Sequence, residues 1–147
     1  MEKIAIIDLG SNTARMILVD ILSEGHFVIT DQLKETPRIG EGMEKDGFLK
    51  PSRISATIDT LKMFRKLCDA YNVEKIIAVA TAAVRRAKNQ RSFLDEVFAL
   101  RTERNVYFFC ESNFVLCFFV FGTAEKFPLV VVNAAVAVIV FEIPFAV

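Results

Sequence analysis

The sequence predicts an α/β domain built on a mixed sheet, and three observations carry that prediction. Three apolar runs of strand length open the chain, separated by turn-forming residues. An amphipathic helix of about five turns follows. A short buried strand comes directly after the helix, as in a crossover to a parallel neighbour.

The first run, Ile4, Ala5, Ile6 and Ile7, ends in Asp8, Gly10, Ser11 and Asn12, each a turn former for its own reason. Gly10 lets backbone approach a ligand closely, and Ser11 and Asn12 offer N–H, hydroxyl and amide donors. Asp8, at the strand end, has the chemistry to hold a hydrated divalent cation or to orient a water. Two readings of this turn stand side by side: a phosphate-binding loop, or a plain hairpin connection. Met16 to Ile21 forms the second run, and Ser23-Glu24-Gly25 turns into a third, Phe27 to Leu33. There the pattern loosens toward alternation, as expected of a strand near a sheet edge with one wet face.

Pro37 to Lys50 reads as loop, because Gly40, Gly42 and Gly47 break any period. Arg38 in it is either a phosphate contact or a solvated loop arginine. Pro51 suits a first helical turn, and Ile54, Ile58, Leu61, Phe64, Cys68 and Tyr71 then recur at spacings of three and four. Asn72 ends that helix as a residue tolerant of left-handed backbone. Lys75 to Ala80 is the buried strand, after which Thr81 caps a helix through Ala82, Ala83, Val84, Arg85 and Arg86. Those residues stand at the carboxyl edge of a core strand, where open α/β sheets bind ligands. Arg85 there serves either a structural ion pair or a bound phosphate. Gln90 to Arg101 makes another amphipathic helix.

Beyond Arg104 the character changes: the remaining residues carry only Glu111, Glu125, Lys126 and Glu142 as charges. The apolar stretches there fall short of the roughly 18 to 20 residues of a spanning helix, and Pro128 interrupts one, so no membrane span is expected. Leu129 to Val132 and Val136 to Phe141 fit a strand pair. With 18 basic and 18 acidic residues the formal charge is zero, so bulk electrostatics favour neither nucleic acid nor an anionic membrane. Cys68, Cys110 and Cys117 lie among apolar neighbours without a C-x-x-C pair, and read as reduced core residues of a cytoplasmic protein. The start lacks the pattern of a signal peptide.

Three ordered segments, IDLGSNTARMILVDI, RIGEGMEKDGFLKPSRI and AVATAAVRRAKNQRSFL, resemble the amino-terminal lobe of the exopolyphosphatase and guanosine pentaphosphate phosphohydrolase family. The resemblance runs from about Lys3 to Arg104 and more faintly to Phe121. It implies an actin-like ATPase fold of the ribonuclease H type, two lobes with the active site between them, and hydrolysis of terminal phosphoanhydrides of inorganic polyphosphate or guanosine pentaphosphate. It also implies Mg²⁺, with Asp8 as a metal contact and Gly10, Ser11, Asn12, Arg38, Thr81 and Arg85 binding substrate. On this reading residues 1–124 form the first lobe and 125–147 a truncated start of the second.

The tail departs from the family pattern. Where the resemblance calls for a helix opened by a pair of glutamates, one of them the base, this chain has Asn113 and Phe114, and neither accepts a proton from water. A register shift would bring Glu111 to one of those positions. The second phosphate loop is replaced by Asn133-Ala134-Ala135-Val136, whose Cβ atoms fill a cradle that needs glycine. The catalytic base is therefore unassigned, and the chain is expected to be incomplete as an enzyme. Two other readings remain: a non-catalytic phosphate or polyphosphate binding module, and a structural fragment that forms a homo-oligomer through its apolar tail. The abrupt change after Arg104 also fits a tail that is not the natural one.

Overall fold

The computed structural model describes residues 2–23, 26–100, 105–112, 115–116, 127–133 and 137–143. The opening runs form β1 (Glu2–Leu9), β2 (Ala14–Ser23) and β3 (His26–Glu35), an antiparallel meander as expected from the turns between them. After a loop with a single 3-10 turn at Met43–Lys45, α1 (Pro51–Ala70) carries the chain across to β4 (Lys75–Ala80). This strand lies parallel to β1 on the side away from β2. Two helices, α2 (Ala82–Arg86) and α3 (Gln90–Ala99), lead to β5 (Asn105–Ser112), parallel to β4, and to the two-residue β6 (Val115–Leu116). The sheet order is β3-β2-β1-β4-β5-β6; β7 (Phe127–Asn133) and β8 (Ala137–Ile143) form a separate antiparallel pair.

Strand alternation assigns the two faces of this sheet. Ala5, Ile7 and Leu9 of β1, with Met16 and Leu18 of β2 and Ile76 and Ala78 of β4, bury against the apolar stripe of α1. Phe64 of that stripe is fully buried, which contributes about 1.5 to 3 kcal/mol in apolar transfer. Ile4, Ile6, Val19 and Ile77 form a smaller buried cluster on the other face. β3 stands at the sheet edge with Phe27, Val28 and Ile29 exposed, the wet edge strand expected of its looser pattern.

The ends of α1 follow from single residues. Pro51 takes a first-turn position. At the other end Asn72 adopts φ 54°, its N–H donates to the Asp69 carbonyl and that of Val73 to the Cys68 carbonyl. That double bond pattern satisfies carbonyls the helix would leave open. Tyr71, expected on the apolar stripe, instead follows the helix and is exposed, its hydroxyl donating to Asp31 of β3 at 3.2 Å. The phenol tip prefers a carboxylate and water over the core. Cys68 is buried beside the Met16 sulfur at 3.6 Å, in agreement with a core role. Cys117 lies outside the described residues.

Two sequence expectations differ from the structure. The helix expected to reach Arg101 closes at Ala99, with Leu100 bonding back to the Val97 carbonyl. Where the resemblance implied a helix opening at Asn113 and Phe114, the described residues on either side pair as antiparallel strands, Glu111 with Leu116 and Ser112 with Val115. β-Branched and aromatic residues in NVYFFC favour the extended backbone of β5 itself. Asn113 and Phe114 lie outside the described residues. Among the described residues no helix is long and apolar enough to cross a membrane.

Candidate functional site

The β1–β2 connection is closed by the Gly10 N–H, which donates to the Thr13 carbonyl at 2.9 Å. This leaves the carbonyls of Ser11 and Asn12 pointing away from the turn, and the loop after β3 captures both. The Arg38 N–H donates to Asn12 at 3.0 Å and the Gly40 N–H to Ser11 at 2.9 Å. Pro37 and Ile39 are buried while Arg38 between them is exposed, so the loop is anchored on both sides of the arginine. Arg38 itself sits at φ 53°, a left-handed conformation that costs about 1 to 2 kcal/mol for a residue with a Cβ. The bond to Asn12 and the buried flanks hold it there.

Gly40 is where three segments meet. A Cβ at that position would lie 3.1 Å from Ala83 of α2 and 3.3 Å from both the Cβ and the carbonyl of Ser11. The absence of a side chain therefore sets how closely loop, turn and helix approach. Thr81 joins the strands behind them: its N–H and its hydroxyl both donate to the Leu9 carbonyl, at 3.0 and 3.2 Å. The carboxyl ends of β1 and β4 are thus bonded to each other at the base of the site.

Between these segments lies an open cleft of about 790 Å³, lined by Ser11, Asn12, Arg38, Gly40, Glu41 and Arg86 among others. It occupies the carboxyl edge of β1 and β4, the position at which α/β sheets of this kind take ligands. Glu41 is held by Arg53 at 2.8 Å and lies 3.8 Å from the Arg38 guanidinium. Glu44 also faces the cleft. The floor therefore offers hydroxyl and amide groups, and the walls carry both signs of charge.

The structure brings together three of the residues singled out from sequence, Ser11, Asn12 and Arg38, around one cavity. Gly10, Thr81, Arg85 and Asp8 are not among its lining residues. Gly10 and Thr81 shape it through the bonds just described. Arg85 is half-buried on α2, and its neighbour Arg86 reaches the cleft. Asp8 alternates with Ile4 and Ile6, so its side chain belongs to the sheet face away from α1, across from Arg15. Burial raises its carboxyl above the ordinary 3.8, and the Arg15 charge acts against that rise. The resemblance places the loop of Arg38, Gly40, Glu41 and Gly42 beside the cleft, and Glu41 does line it, held by its distant partner Arg53. Sequence reasoning missed Arg86, which is placed by the phase of a one-turn helix.

No group of three His, Cys, Asp or Glu side chains converges among the described residues, which leaves no all-protein cage. Mg²⁺ is commonly held by one or two carboxylates with substrate phosphates and water, and Asp8, the carboxylate implied for it, does not line this cleft.

Residues 18–100 match the sequence profile described as the Ppx/GppA phosphatase family. A bifunctional 3-dehydroquinate synthase/phosphatase of Fusobacterium nucleatum is 34% identical over 101 residues, covering 64% of this chain and 15% of that one. Exopolyphosphatase 1 of Mycobacterium bovis is 30% identical over 95 residues, covering 65% of this chain and 28% of its own length. Among solved structures, the Aquifex aeolicus member of the Ppx/GppA family superposes with a TM-score of 0.66 at 34% identity, over 74% of this chain and 35% of that one. The chain thus spans less than a third of the length of these two relatives.

Proposed function

Because the chain belongs to the Ppx/GppA phosphatase family and has its actin-like fold, we propose that it is the phosphate-binding lobe of a phosphoanhydride hydrolase. The substrate class is inorganic polyphosphate or a guanosine pentaphosphate, bound by its terminal phosphates. One observation carries the reading: the Ser11–Asn12 turn and Arg38, brought from separate segments, face one cleft at the carboxyl edge of the sheet. Ser11 and Asn12 donate hydrogen bonds to phosphoryl oxygens, and the Arg38 guanidinium adds a charge-assisted contact. The roles implied for Gly10, Thr81 and Arg85 rest on the matched motifs. A Mg²⁺ contact at Asp8 likewise rests on the matched motif, since Asp8 does not line the cleft, and a bound cation would neutralise part of the phosphate charge.

Hydrolysis further needs a group that takes a proton from the attacking water. Of the carboxylates facing the cleft, Glu41 is already engaged by Arg53, and the positions expected to be acidic are Asn113 and Phe114. These observations favour a chain that binds polyphosphate and releases phosphate poorly or not at all by itself. The test pairs calorimetric binding of tripolyphosphate with phosphate release from polyphosphate in Mg²⁺. Saturable binding, weakened about tenfold or more in Asn12→Ala through loss of a hydrogen bond to a charged group, is the expected result. Rapid release by this chain alone would show that a base is present after all, and no binding would remove the proposal.

A further inference from the structure

We infer that Arg86 is the contact that distinguishes an extended phosphate chain from a single phosphate in this cleft. The inference rests on the phosphate-binding reading above and adds a residue to it. Arg85 and Arg86 are neighbours in sequence on α2, but consecutive helical positions point about 100° apart, so the two cannot serve one spot. Arg86 is exposed and lines the cleft, whereas Arg85 is half-buried and does not.

The charges on the walls separate the roles further. Arg38 lies 3.8 Å from Glu41, which Arg53 holds in place, and Glu44 stands on the same loop. Among the described residues no carboxylate pairs with Arg86. An anion gains most from a cation that is not already neutralised, and loses by approaching the two glutamates. A phosphate seated on Ser11 and Asn12 beside Arg38 therefore extends any further phosphate units away from the acidic loop and toward the α2 wall, where Arg86 waits. The cleft volume of about 790 Å³ is within the range of cavities that take ligands much larger than one phosphate.

The test titrates the full chain with orthophosphate and with tripolyphosphate, comparing wild type, Arg86→Gln, Arg86→Lys, Arg85→Gln and Asn12→Ala. Arg86→Gln is expected to weaken tripolyphosphate about tenfold and orthophosphate less than twofold, with an unchanged melting temperature because the side chain is exposed. Arg86→Lys should recover part of the loss, since a point charge serves the electrostatic share of the contact. An unchanged tripolyphosphate affinity in Arg86→Gln, an equal loss for both ligands, or a loss seen only in Arg85→Gln overturns the inference. If Asn12→Ala abolishes binding while Arg86→Gln does not affect it, the phosphate-binding reading stands and this one falls. Failure of the wild type to bind either ligand overturns both.

Discussion

At Gly40 a single hydrogen atom in place of a methyl group holds the site together. Gly40→Ala would push a Cβ against Ala83 and against both the side chain and carbonyl of Ser11 at 3.1 to 3.3 Å, with backbone on one side that cannot swing away. Overpacking of this kind costs about 1 to 3 kcal/mol, so the variant should melt several degrees lower and bind tripolyphosphate more weakly. A thermal melt with a parallel titration checks both. Asp8 offers a pH-dependent counterpart. Its carboxyl is raised above the ordinary 3.8 chiefly by burial, with Arg15 opposing. A group raised in the folded state gives its full stabilisation below its unfolded pKa and loses it as pH rises through the folded value. At neutral pH the ionised Asp8 is accordingly a cost, and Asp8→Asn should melt higher than wild type at pH 7. That gap should close as the pH falls toward 3.8, and melts at both ends of the range without added metal would show it. Ser11 and Asn12 were legible as site residues because their donor chemistry is a property of residue type. Arg86 was not, since which of two adjacent arginines reaches a cleft depends on helix phase, and a helix of five residues has too few positions to reveal its phase in sequence.

Elements were readable wherever one residue carries a backbone rule. Pro51 marks the start of α1, and Asn72 at φ 54° marks its stop. The apolar spacing between them identifies the buried face apart from Tyr71, whose hydroxyl finds Asp31 across the sheet edge. The way elements are tied to one another was hidden, because the ties join residues far apart in sequence. Asn89, just before α3, reaches back forty positions: its carbonyl accepts from the Leu49 N–H at 2.9 Å and its amide donates to the Leu49 carbonyl at 3.0 Å. The Lys88 N–H adds a bond to the Gly47 carbonyl. Asn89→Ala would strand two backbone groups of the buried Leu49, which costs about 1 to 3 kcal/mol. Faster amide exchange at Leu49, with little change at the core of α1, is the expected signature. The short strand β6 was not legible either, because two residues carry no period by which to read their pairing with the end of β5.

Across the whole molecule, the sheet ends at β3, a ten-residue edge strand with Phe27, Val28 and Ile29 open to solvent. An edge with exposed apolar side chains is prone to pair with another chain. Ile29→Lys should leave stability within about 0.5 kcal/mol, because the side chain is already exposed, and should reduce light scattering on heating. Unchanged scattering would exonerate this edge. The strand order also makes β1 the hinge of assembly in time. Its antiparallel neighbour follows within a few residues, but its parallel neighbour begins only at Lys75. On a ribosome adding about 5 to 20 residues per second, that delay lasts several seconds, whereas a hairpin closes in about 1 to 10 μs. The meander and its Ser11–Asn12 bend thus take shape first, and the later chain is laid down against a template already made.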